Sequence, residues 1–121
     1  MPDSVCQNAE RARWRLDVML RRVAARVGNR KAAVGWLARR LGSGPAALET
    51  LLYHRRGGAR LLRRIERAWA AVLLEMARKD LEELAGDLAG EGHAADLAGQ
   101  VRDLVAALEA AVEREEEERE R

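Results

Sequence analysis

Phenylalanine is absent from this chain, tyrosine occurs once and tryptophan three times, so its core has to be built from aliphatic side chains. Isoleucine and threonine also occur once each. With isoleucine, threonine and aromatic strand formers this scarce, and Leu, Val, Ala and Arg dominant, an all-α fold is expected. The single cysteine, Cys6, excludes an internal disulfide framework and a cysteine-rich zinc site. A free thiol in a reducing cytoplasm is the expectation. The longest uninterrupted apolar run, Ala68 to Leu74, is too short to cross a bilayer. The opening Met-Pro-Asp-Ser lacks the basic segment and apolar core of an export signal. A soluble cytoplasmic protein follows as the expectation.

Catalytic signatures are missing too. His54 and His93 stand far apart with no companion ligands at a useful spacing, and no Gly-rich phosphate loop is present. The sequence therefore predicts no enzyme, no metal and no cofactor.

What the chain does have is charge, unevenly placed. Between Glu10 and Arg67, sixteen Lys and Arg stand against four Asp and Glu, a net charge of +12. Between Glu75 and Arg121, six stand against fifteen, a net charge of −9. The first half is dressed for a polyanion. The second suits solubility, self-association or a basic partner. The 121 residues divide on this basis into a basic domain over 8–72 and an acidic helical extension over 73–121 with a charged tail.

Apolar spacing predicts five helices. The first covers about Asn8 to Val27, with Leu16, Leu20, Val23 and Val27 on its inner stripe. Gly28 ends it and Asn29 can cap the next. The second covers Arg30 to Leu41, with Val34, Leu37, Ala38 and Leu41 on one face. Gly42 stops it, and Pro45 suits the first position of a third helix, because the N–H that proline lacks would be unpaired there. The third runs to about Arg56, with Leu48, Leu51 and Leu52 inward, before Gly57-Gly58. A fourth covers Ala59 to Leu88, with Leu62, Ile65, Trp69, Val72 and Met76 as its first stripe and Trp69 in the core. After a break at 89–93, a fifth covers about Ala94 to Glu118. Its Leu97, Val101, Leu104 and Leu108 follow the four-three spacing of a coiled-coil seam. The tail "EREEEERER" is a solvated charge run expected to fray.

Two short helices separated by a tight turn invite one comparison. "LARRLG" followed by "PAALETLL" resembles the lambda-repressor/Cro-like helix-turn-helix in order and spacing. Ala38 occupies the place where the crossing helix demands a small side chain. Gly42 occupies the left-handed turn position, and Leu48 and Leu51 occupy the anchoring positions. Ser43 stands where an apolar residue is usual and Gly44 where a polar cap is usual. The resemblance covers Arg30 to Arg56 and does not reach the carboxy-terminal third.

The resemblance implies that the third helix enters the major groove of double-stranded DNA. Ala46, Glu49, Thr50, Tyr53 and Arg56 would then be the base-contacting candidates. Thr50 is suited to a thymine methyl or base edge and Glu49 to a cytosine amino group. Phosphate-contacting candidates are Arg30, Lys31, Arg39, Arg40, Arg55, Arg60, Arg63 and Arg64. The apolar row of the extension (Leu81, Leu84, Leu88, Leu97, Val101, Leu104 and Leu108) has to be covered, by folding back, by a second chain or by both. These residues are the dimer-interface candidates, and a homodimer would present two DNA-binding domains to two half-sites.

The resulting expectation is a dimeric, sequence-specific transcriptional regulator, a repressor of phage or mobile-element type. Two other readings remain open. A helix-turn-helix followed by a helical hairpin also resembles the small subunit of a phage terminase, a DNA-recognising ring. Alternatively, the acidic fifth helix belongs to an adaptor or antitoxin-like module that clasps a basic protein.

Overall fold

The computed structural model describes residues 2–92 and 94–120, with side chains described over 8–92 and 94–118. His93 and the side chain of Cys6 lie outside the described residues. Five helices account for nearly all of the described chain: α1 (Pro2–Val27), α2 (Arg30–Leu41), α3 (Pro45–His54), α4 (Ala59–Gly90) and α5 (Ala95–Glu120). No strand occurs among the described residues. None of the helices is long and apolar enough to cross a membrane. The chain divides into two compact units, Met1–Leu73 and Leu74–Arg121.

The first unit gathers an aliphatic core from all four of its helical segments. Leu16, Met19 and Leu20 of α1, Leu37 of α2, Leu48 and Leu51 of α3 and Ile65 of α4 are completely or almost completely buried. Each such side chain contributes about 1.5–3 kcal/mol relative to exposure. Ala38 is also buried. Two expected core positions differ. Val27 is exposed in the last turn of α1, whereas Met19 is fully buried. Trp69 is half-buried, with its ring 6.5 Å from that of the exposed Trp14 and the Arg15 guanidinium 4.7 Å above it. This pair sits at the unit's surface, where a cation over an indole face is favoured.

The ends of α2 and α3 are set by local chemistry. Asn29 has an extended backbone and its side chain accepts a hydrogen bond from the Ala32 N–H at 2.7 Å, closing the first turn of α2. Gly42 adopts the left-handed conformation (φ 65°), and the N–H of Ser43 returns to the Ala38 carbonyl at 2.9 Å. Pro45 then opens α3, whose flanking Gly44 makes no side-chain cap. The third helix ends at His54, short of the expected Arg56. Arg55 takes a left-handed conformation (φ 55°) and its N–H bonds the Leu51 carbonyl, so the chain has left the helix before Arg56.

The second unit is an antiparallel pair formed by the latter part of α4 and by α5. Gly92, with φ 57°, makes the reversal. Arg78 donates to Glu109 Oε1 at 3.3 Å across the pair. Ala85, Ala94, Ala98 and Val105 are its buried small side chains. The expected seam sits elsewhere. Leu84, Leu97 and Leu104 are 46%, 53% and 52% exposed, while Leu81, Leu88, Val101 and Leu108 are half-buried. The small side chains let the helices approach and displace the leucines to one flank. Helix α5 extends through the acidic tail to Glu120.

Candidate nucleic-acid interface

Helix α3 has two sides with opposite character. Leu48, Leu51 and Leu52 point into the core. Ala46, Glu49, Thr50 and Tyr53 recur at three- and four-residue spacing on the other side and are all exposed, Tyr53 by 66%. The four outward candidates therefore do share one surface. Thr50 Oγ1 donates to the Ala46 carbonyl at 2.9 Å, which uses its proton and leaves the oxygen able only to accept. Arg56, the fifth base-contacting candidate, is exposed but lies beyond the end of α3.

The first turn of α2 stands beside this surface. Arg30 and Lys31 are exposed there, and with Val34, Pro45, Glu49 and Tyr53 they line a groove of about 450 Å³ between α2 and α3. A helix amino terminus with free N–H groups and two cations favours an anion. Arg30 is 3.8 Å from Asp17 and Arg55 is 3.1 Å from Glu10, so two carboxylates of α1 pair with two of the candidate cations. Such exposed pairs are weak, each worth about 0–1 kcal/mol, and open readily to a competing anion.

The remaining candidate cations fall into three groups. Arg39 and Arg40 are exposed on the last turn of α2. Arg60 and Arg63 are exposed on the first turns of α4, and Arg63 shares a second groove, of about 170 Å³, with Arg11 and Arg15. Arg64 behaves differently. Its Nη1 donates to the Leu41 carbonyl at 3.0 Å and to the Gly42 carbonyl, so its guanidinium is engaged by the turn that joins α2 to α3. Charge alone marked Arg64 as a phosphate ligand, because a bond spanning more than twenty residues leaves no local signal in the sequence. The pairing of Arg30 with Asp17 and of Arg55 with Glu10 also joins different helices and left no local signal.

Among the described residues, no three His, Cys, Asp or Glu side chains come together as metal ligands would. Comparison of the chain with protein families, curated proteins and solved structures finds no match.

Proposed function

We propose that α2, its turn and α3 act as a lambda-repressor/Cro-like helix-turn-helix, and that the protein is a sequence-specific double-stranded DNA-binding regulator that represses transcription by occupying an operator. The reading rests above all on one observation. An exposed arc of Ala46, Glu49, Thr50 and Tyr53 lies beside the cationic first turn of α2, in a segment with a net charge of +12. Helix α3 would lie in the major groove, with Thr50 and Glu49 at base edges. Arg30, Lys31 and the α2 amino terminus would hold a phosphate. Arg39, Arg40, Arg60 and Arg63 would add non-specific attraction.

Selection of bound fragments from random duplex DNA, followed by a salt titration of the selected site, tests the proposal. Arg30→Ala with Lys31→Ala should weaken binding to all sequences alike. The double variant should also flatten the log–log salt dependence by about 0.9 for each phosphate it no longer neutralises. Failure to enrich any sequence, together with a salt slope untouched by the double variant, would refute this mode of binding.

A further inference from the structure

The second unit has one apolar side that its own fold covers only in part. At about 3.6 residues per turn, Ala77, Leu81, Leu84 and Leu88 fall on one flank of α4, next to the buried Ala85. Leu97, Val101, Leu104 and Leu108 fall on the corresponding flank of α5, next to the buried Ala98 and Val105. The Arg78–Glu109 bond, at 3.3 Å, ties together the opposite flanks of the two helices. The two apolar rows therefore lie on the same side of the pair. No charged residue falls in either row. By the same spacing, Glu82, Glu109 and Glu113 belong to the Arg78 side, and Asp80, Glu83 and Asp103 to the backs of the helices.

We propose that this leucine side joins two copies of the chain in a four-helix bundle, with leucine facing leucine across a two-fold axis. Met76, three alanines and a valine are the fully covered side chains of this unit, a thin core for two long helices that a second pair would complete. The charge distribution selects the partner. Between Glu75 and Arg121 fifteen acidic residues stand against six basic ones, so a basic protein would be drawn to the acidic sides. It would find no carboxylate to meet within the leucine rows. An uncharged apolar face matches them, and a second copy carries one of the same length. A two-fold interface needs one self-complementary patch, which this side supplies. The inference stands whether or not the basic half binds DNA.

Sedimentation equilibrium of the full chain over a wide concentration range tests it. The expected mass is twice the 13.5 kDa of one chain, falling towards one chain on dilution. Leu97→Glu with Leu104→Glu should give the single-chain mass with unchanged helical circular dichroism, whereas Asp103→Lys should remain paired. If the double variant loses helix content, Leu104→Gln decides the matter, with at least a tenfold weaker association expected. A single-chain mass for the unaltered protein at every concentration overturns the proposal. So does a ring of eight or more copies, and so does a Leu104→Gln protein that associates as tightly as the original.

Discussion

Thr50 is the clearest place where one hydrogen bond shapes what a side chain offers. A free threonine hydroxyl can both donate and accept. Here its proton is directed to the Ala46 carbonyl at 2.9 Å, so the exposed side chain has a methyl group and an acceptor to offer a ligand. Glu49, its neighbour on the exposed arc, is acceptor-only when ionised. Neither can make the bidentate donor contacts by which Arg reads guanine, and no Asn or Gln stands on α3 to read adenine. Under the DNA-binding reading, sites rich in thymine methyls and cytosine amino groups are expected. Replacing one thymine of a selected site by uracil removes only a methyl and should weaken binding by about 0.8 kcal/mol, the scale of one buried methylene. With Thr50→Ser in place, the same replacement should have no effect. Fluorescence anisotropy on the four protein–DNA combinations reads this coupling, and additive effects would remove Thr50 from the base surface.

The link between α2 and α3 shows how two elements are held by a third. The carbonyls of Leu41 and Gly42 lie at the end of α2, where helical partners have run out, and Arg64 of α4 donates to both. At Gly42, φ is 65°, and a Cβ added there would come within 2.9 Å of Arg64 Nη1. Gly42→Ala therefore meets both a left-handed penalty of about 1–2 kcal/mol and a clash with the arginine that satisfies the turn. Arg64→Met keeps much of the stem but removes the donor, at about 1.5–3 kcal/mol for a charged hydrogen bond. Urea unfolding should show both variants destabilised. Because they act on the same interaction, their combination should cost clearly less than the sum, and full additivity would show that they act apart. Both ends of α2 and the start of α3 were legible in the sequence, through Asn29, Gly42 and Pro45, which act locally. The end of α3 was not, because Gly57-Gly58 looks like a stop whereas Arg55 itself takes the left-handed turn. In α5 the four-three spacing identified leucines that share a face but not the direction of that face. The stripe Ala94, Ala98 and Val105 is just as periodic, and its small side chains won the close approach.

At the scale of the molecule, the charge division and the helices describe one arrangement. The basic unit ends at Leu73, the acidic unit begins at Leu74, and α4 runs unbroken from Ala59 to Gly90 through that boundary. Under the DNA-binding reading, a two-fold bundle of two acidic units would bring two basic units to one duplex. The operator should then be an inverted repeat whose half-site centres lie about 10 base pairs apart, or a multiple of that. Inserting about five base pairs between the half-sites turns one of them to the opposite side of the duplex. Affinity should then fall to that of a single half-site, and a further insertion of the same length should recover part of the deficit. Footprinting and titration of the selected site and its two insertions measure this directly. A footprint without two-fold symmetry, or an affinity indifferent to the insertions, would show that the two basic units do not bind as a phased pair. A monomeric Leu97→Glu, Leu104→Glu protein should bind all three duplexes equally, which separates a failure to pair from a failure to touch DNA.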